Sequence, residues 1–559
     1  MFVNRVVRKT LLITTLLLVL APPAVLAADG ASAYRMPPQV LADIIDAPQT
    51  PAVALSPDGA WMLLLNRPGY PSIAEVAQPE LRLAGLRINP RSNGRSRQLP
   101  LDGLTFRRLA DGREIAVSGM PEAPRITAVS WSPDGARIAF VLNIDDRLSL
   151  WTARLEDGVA TRVTPADMAL NGVYGRPYEW LADSRSFVVR AVPADRGAPP
   201  AEPTVPAGPV IQQNLGTAAP ARTYQDLLSN AHDEALYDHY AISQLARVDL
   251  GGGVEWIAEA AVYRRAEPSP DGRYLLIETI GRPYSYTLPE SRFPRRIEVR
   301  DLAGRLVHRV ADLPLQDQIP IAFGSVATGP RSVVWRSDAD AELAWSEALD
   351  GGDGASEAEL RDRVFTLAAP FGGAPVPLIE LAQRFGGITW GDNDLAFVSS
   401  WWWKTRNMKV WRVRPGERDK APELIQDRSW QDRYNDPGTP LMRRNAAGRP
   451  VMLTADGGRT LFLRGDGASP EGDRPFLDAW DVASGETTRL FRSQAPYYES
   501  PVDLVDVAGR QLLTRRESQE EPPNYFLRDL ASGELAQKTF FPNPTPFRSP
   551  GPSHTWCGR

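Results

Sequence analysis

The sequence predicts an all-β fold, a β-propeller of about seven four-stranded blades, and three observations carry that prediction. Ser-Pro-Asp-Gly recurs between apolar runs, as ALSPDGAWMLLL at 54–65, WSPDGARIAF at 131–140 and AEPSPDGRYLLIE at 266–278. Looser spellings of that turn recur along the chain, and most of these hairpins are followed by a second one with an Asp/Gly turn. The composition, with 51 prolines and 44 glycines in 559 residues, favours many turns over long helices.

In the unit around Trp131, RITAVSW and ARIAFVLN alternate apolar and polar positions on either side of the turn. Pro presets φ for the first corner, Asp can bond its own backbone two residues on, and Gly accepts the positive φ that closes the reversal. The result is a β-hairpin. EWLADSRSFVVRA (179–191), SVVWRSDADAELAWSEA (332–348), ITWGDNDLAFVSS (388–400) and VMLTADGGRTLFLRG (451–465) keep the same grammar. The intervening hairpins lie at 149–165, 241–259, 409–425, 476–493 and 524–540. Two hairpins per unit make four strands, and radially repeated quartets are propeller blades whose faces are covered by their neighbours. Trp131, Trp180, Trp335 and Trp390 fall at equivalent places and read as packing between blades. Unequal spacing leaves two stacked β-domains, or a sandwich array, as the alternative.

The propeller is expected over 36–546, broken by two inserts. Residues 192–222 are rich in Pro, Ala and Gly and read as an exposed loop. They lead into a helical stripe, Leu227, Leu228, Ala231, Ala235, Leu236 and Tyr240, with Thr223 as N-cap, so that the insert spans 192–240. The second insert, 348–368, is turn-rich, with a short helix expected at 356–363.

Residues 1–27 read as a cleaved secretory signal. Arg5, Arg8 and Lys9 precede an apolar run from Leu11 to Leu20, and Val25-Leu26-Ala27 forms a small-residue cleavage site. A periplasmic or secreted location follows, with no membrane association after cleavage. The net charge of −5 gives no reason to expect nucleic-acid binding. The one cysteine, Cys557, allows no disulfide within the chain and no thiolate metal site.

The stretches 209–250, SSWWWKTRNMKVWRVRP (399–415), RRESQEEPPNYFLRDL (515–530) and FFPNPTP (540–546), together with the Ser-Pro-Asp-Gly turns, resemble the prolyl-oligopeptidase superfamily of serine peptidases, in its glutamyl-endopeptidase-like branch. The resemblance implies a substrate-gating propeller followed by an α/β-hydrolase domain carrying Ser, Asp and His. No G-x-S-x-G occurs here. Gly94-Arg95-Ser96-Arg97 and Gly467-Ala468-Ser469-Pro470 lack the closing glycine. The expected molecule is therefore the propeller without the hydrolase domain, truncated before it, with no catalytic residue and no peptidase activity alone. Residues 547–559 read as an aberrant tail. The alternative is a stand-alone, non-catalytic periplasmic propeller that binds a peptide or protein.

Three cations are candidates for binding a peptide or protein substrate at the propeller face: Lys404 and Arg406 beside Trp401-Trp402-Trp403, and Arg515. Each can hold an acidic side chain by charge-assisted hydrogen bonds. The competing readings are tryptophans packed between blades and a salt-bridged surface strand. His232, Glu234, Asp238 and His239 on the helical insert read as a solvated face in preference to a metal site, and no cofactor is expected. Paired carboxylates of the glycosidase kind are not marked out, since the aspartates sit in turns.

Overall fold

A computed structural model describes residues 37–205, 208, 222–392 and 394–544. The predicted signal, the tail and most of the loop at 206–221 lie outside these residues. Residues 48–544 form one compact unit. In the other unit the described residues hold the short helix Gln39–Asp46.

The repeated turns fold as their chemistry dictates. Asp58, Asp134 and Asp271 each accept, at 3.0 Å, the N–H two residues on. Gly59, Gly135 and Gly272 take φ of 72°, 70° and 72°. The serine has a role the sequence did not suggest. Ser56, Ser132 and Ser269 donate to that aspartate at 2.5–2.6 Å and accept the N–H five residues on, locking both sides of the hairpin mouth.

Among the described residues these hairpins build eight four-stranded antiparallel blades. Blade 1 is Gln49–Leu55, Trp61–Arg67, Gly103–Arg108 and Glu114–Ala116. Blade 2 is Ile126–Trp131, Arg137–Ile144, Arg147–Arg154 and Ala160–Arg162. Blades 3 and 4 share one long strand. Val254–Pro268 pairs with Ser243–Asp249 through residues 254–261 and with Tyr274–Ile280 through 262–268. Tyr178–Trp180 and Ser186–Ala191 complete blade 3; Arg295–Asp301 and Leu306–Leu313 complete blade 4. Blade 5 spans Arg331–Trp335 to Val376–Leu381 and blade 6 spans Arg384–Asp392 to Glu423–Ser429. Blade 7 has a split inner strand, Thr439–Pro440 and Thr454–Ala455, followed by Thr460–Gly465, Phe476–Asp481 and Thr487–Arg492. Blade 8 runs from Tyr498–Asp506 to Leu535–Gln537.

Every seam between blades carries its own buried cluster. Phe106 meets Phe140 between blades 1 and 2, and Val141 meets Phe187 between 2 and 3. Leu245 lies with Leu275, Leu276 with Leu343, Val364 with Val398, Phe397 with Leu461 and Leu477 with Leu512 at the next five seams. The last cluster joins Leu513 and Tyr525 of blade 8 to Met62 and Leu64 of blade 1. The blades therefore close into a ring. Among the described residues no strand is exchanged at the closure; apolar burial holds it, at about 1.5–3 kcal/mol per fully buried large apolar side chain, with Arg107 lying over Phe540 beside it. The four tryptophans lie in these seams, and the indole N–H of Trp335 reaches Glu267 O of the preceding blade at 3.0 Å.

Antiparallel strands place successive links on alternate faces. The turn between the first and second strands of each blade falls on one face, where neighbouring turns touch. The Asp134 N–H donates to Ser184 Oγ at 3.1 Å, and the Asp271 N–H donates to Asp340 O at 3.0 Å. The opposite face carries the long inserts.

The helix in the first insert is Ala231–Ala241, shorter than expected, and it is capped by Asn230 in place of Thr223. Asp226 takes φ of +58° and its carbonyl accepts the Gly85 N–H, which ends helical continuity there. No helix forms at 356–363. Arg361 donates to Ser356 O, and Asp362 begins a strand paired to the second strand of blade 5.

Candidate functional site on the insert face

Two structures occupy the insert face. The first is a small secondary core built from the inserts of blades 1, 3 and 4. Leu83 and Ile88 of a three-stranded sheet pack with Tyr237 of the helix and with Phe293. Arg282 reaches both Glu234 and, at 2.6 Å, Asp238, while the Tyr284 hydroxyl also donates to Asp238. That carboxylate, together with burial, pushes the Tyr284 phenol well above its ordinary pKa, burial being the larger cause. Glu234 and Asp238 of the helix thus answer an arginine and a tyrosine. Among the described residues no three His, Cys, Asp or Glu side chains converge on a metal position.

The second structure lies over blades 5 and 6. Arg384 is fully buried and donates to Asp362 at 2.9 Å, to Asp350 at 2.7 Å and to Gly324 O at 2.6 Å. Arg361 adds a second contact to Asp350 at 2.8 Å and stacks over Trp402 at 4.0 Å. Burial would raise the Asp350 pKa, but the hydrogen bond and charge of Arg384 outweigh it and hold the carboxyl below its usual range. This network fixes the loop carrying Phe323 beside the turn that follows Trp402. Phe323, 73% exposed, stacks on Trp403 at 4.8 Å, and Trp430 flanks Trp403 at 6.1 Å.

Arg406 sits on this aromatic platform, and Lys404 follows Trp403 in the same link between the second and third strands of blade 6. Arg406 lies 3.9 Å over the Trp403 ring and donates to Trp403 O at 2.9 Å. Lys404 is exposed and has no ion pair among the described residues. Arg515 is on blade 8, with its guanidinium 2.6 Å from Glu517. The fold puts all three toward the insert face but does not bring Arg515 to the other two, because blade 7 stands between.

A further cation escaped the sequence reading. Arg95 lines a cavity of about 250 Å³ between the insert of blade 1 and blade 2, together with Arg97, Arg125 and Glu75. Arg97 answers Glu80 at 3.4 Å and Arg125 answers Glu75 at 2.6 Å, whereas Arg95 has no ion pair among the described residues. The only sequence signal was the string Gly-Arg-Ser-Arg, weighed for its serine.

That serine and its counterpart are engaged locally. Ser96 Oγ donates to Glu80 at 2.7 Å, and Ser469 Oγ donates to Gly472 O at 2.7 Å. Burial pushes the His239 and His308 imidazoles below their ordinary pKa, and neither hydrogen-bonds a serine. The described residues therefore assemble no Ser-His-acid triad.

The two ends of the ring meet on the insert face. Pro48 to Pro51 and Phe541, Pro542 and Pro544 line one cavity of about 330 Å³. A closed ring of antiparallel quartets, capped on one face by inserts, is a β-propeller. No family model matches the chain. A protein of Oryza sativa subsp. japonica, "Probable glutamyl endopeptidase, chloroplastic", is 38% identical over 539 residues, covering 92% of this chain and 57% of its own length. The Arabidopsis thaliana protein of that description matches at the same identity, over 56% of its length. A solved structure from a study of two prolyl endopeptidases aligns with 86% of this chain at TM-score 0.38 and 11% identity, covering 55% of that chain. The propeller domain of the Trilobed protease from Pyrococcus furiosus aligns with 75% at TM-score 0.36 and 11% identity, covering 99% of that chain. The chain belongs to the prolyl-oligopeptidase superfamily, in its glutamyl-endopeptidase-like branch, and corresponds to the propeller portion. It spans a little over half the length of the curated relatives it matches.

Proposed function

We propose that this chain is the substrate-gating propeller of an exported serine peptidase of the glutamyl-endopeptidase type, and that it cleaves no peptide by itself. The observation that carries the reading is the meeting of the two ends of the ring, Pro48–Pro51 and Phe541–Pro544, on the insert face. A second domain joined there would face the inserts, the aromatic platform and the cations Lys404, Arg406 and Arg95. In this arrangement the platform offers stacking area, and Lys404, without an ion pair among the described residues, offers a charge to an acidic peptide segment. Arg515, held by Glu517, stands ready for the same role on blade 8. Export follows from the basic and apolar segments of residues 1–27. Among the described residues no helix is long and apolar enough to cross a membrane.

The test is hydrolysis of Glu-containing fluorogenic peptides by the purified chain. No turnover is expected, and turnover abolished by a serine-directed phosphonate would overturn the reading. A second reading, a stand-alone binding propeller, is favoured by the completeness of the ring, in which all eight seams are filled. Calorimetric titration with Glu-rich peptides separates the two roles. Micromolar binding without any catalytic partner supports the binding propeller.

A further inference from the structure

The inner strand of blade 7 is interrupted. Thr439–Pro440 and Thr454–Ala455 both pair with Thr460–Gly465. Across the gap the Leu453 N–H donates to Leu441 O at 2.8 Å, so the strand is stitched shut behind the excursion. Between these points residues 442–452 leave as a hairpin, Met442–Arg444 paired with Pro450–Met452. Its tip, Asn445 to Arg449, is rigidly built. The Asn445 N–H donates to Arg449 O at 2.9 Å, and Asn445 Oδ1 accepts the Ala447 and Arg449 N–H groups at 3.1 and 3.0 Å.

An excursion from an innermost strand leads toward the ring axis, and the hairpin's partners lie around that axis. Arg449 meets Glu267 of blade 4 at 2.9 Å and also donates to Pro268 O. Asn445 Nδ2 donates to Ser337 O, at the turn of blade 5, at 2.8 Å. Arg443 donates to Leu504 O of blade 8 at 2.8 Å. A Cβ built on Gly448 would stand 3.1 Å from Pro133 Cβ in the turn of blade 2, and one on Gly391 of blade 6 would stand 3.0 Å from Met452. One short hairpin that touches blades 2, 4, 5, 6 and 8 occupies the centre. Pro133, Ser337 and Pro268 all lie at or beside first turns, which places it at the turn-face end.

We propose that residues 442–452 are a seated plug that closes the axial opening of the propeller on its turn face. The plug is held mainly by side chains donating to backbone carbonyls of other blades, so its seat depends on the ring and not on a complementary sequence. The axis is then no route for a peptide arriving from the turn face. That last consequence rests on the proposed gating function: if the propeller serves a peptidase domain, substrate enters on the insert-face side.

The test is a cross-link between blades 2 and 7, in the full chain carrying Cys557→Ser. Pro133→Cys with Gly448→Cys places the two Cβ atoms 3.1 Å apart, a few tenths of an ångström inside the usual disulfide Cβ separation. Ala182 fills the place of Pro133 in the turn of blade 3, so the substitution suits the turn. The control pair is Pro133→Cys with Gly485→Cys, whose second glycine also has positive φ but meets nothing within 4 Å. The plug predicts an intramolecular disulfide in the first pair, forming at least about tenfold faster than in the control. Equal slow oxidation in a folded protein overturns it. If Gly448→Cys does not fold, Pro133→Cys alone is alkylated, with residues 442–452 intact or replaced by Gly-Gly. Labelling roughly tenfold slower with the hairpin intact is expected, and equal rates overturn the plug. Neither readout involves peptide cleavage, so an error about the peptidase would leave this result standing.

Discussion

The turn face and the insert face of this propeller are held by different physics. On the turn face the first reversals of blades 1, 2 and 4 satisfy themselves. A serine, an aspartate and a glycine within one stretch of four residues close the hairpin, and contacts between neighbouring turns are few and short. On the insert face the buried charges are satisfied by groups distant in the chain. Arg384 is buried only because Asp350, Asp362 and Gly324 O arrive from three other segments. Arg282 likewise holds a helix from a different blade's insert. Local closure tolerates loss of one turn. A shared buried charge does not tolerate loss of one partner.

The sharpest way to break this comparison is Arg384→Met. It removes the buried cation that Asp350 and Asp362 share, leaving Asp350 to Arg361 and Asp362 to Arg331, and breaking a buried pair in this manner costs about 3–5 kcal/mol. Urea unfolding is expected to show that loss, with detachment of the Phe323 loop seen as a change in tryptophan fluorescence. Next comes Leu513→Ala at the closing seam, where a fully buried leucine on blade 8 meets blade 1. A loss of about 2–5 kcal/mol is expected, together with faster proteolysis. Asp134→Ala on the turn face should cost only about 1 kcal/mol, the scale of a lost local cap. A cost near that of Arg384→Met would erase the distinction between the faces.

A smaller effect is expected from pH. Burial holds His239 and His308 below the ordinary value of 6.5, with Arg196 adding to the effect at His239. The unfolded chain then binds these protons more tightly than the folded one. Their stabilising effect is complete above about pH 6.5 and is lost as pH falls below it. Melting temperature measured from pH 7.5 to 5.5 should fall, and His239→Gln with His308→Gln should flatten that part of the curve. The smallest effect on stability, none within error, is expected for Lys404→Ala. Its proposed role predicts instead a several-fold weaker and less salt-dependent binding of Glu-rich peptides.

Legibility follows the same division. The hairpins around Trp131, Trp180, Trp335 and Trp390 were readable because turn chemistry and period-two alternation are short-range. The sequence predicts about seven blades, and the described residues hold eight. The pair Tyr498–Asp506 and Gln511–Glu517 closes through a Val-Ala-Gly-Arg turn that does not match the Ser-Pro-Asp-Gly spelling. Likewise, 451–465 reads as a simple hairpin, although the strand preceding its turn is short and residues 442–452 stand apart from the sheet. The insert helix was placed too early because periodicity carries no information about the left-handed Asp226. Lys404 and Arg406 were found by the oddity of three tryptophans in a row. Their separation from Arg515 by blade 7 could not be read from sequence at all.

By itself, then, the order of residues determined the local part of this protein: where the chain reverses, which positions alternate inward, and that quartets repeat. Those depend on neighbours within about ten residues, and each turn carries its own hydrogen-bond partners. Only the tertiary structure decided that blade 8 packs on blade 1, that Arg384 finds two carboxylates, and that one hairpin turns inward to the axis. These outcomes depend on groups hundreds of residues apart, whose proximity exists only once the ring has closed.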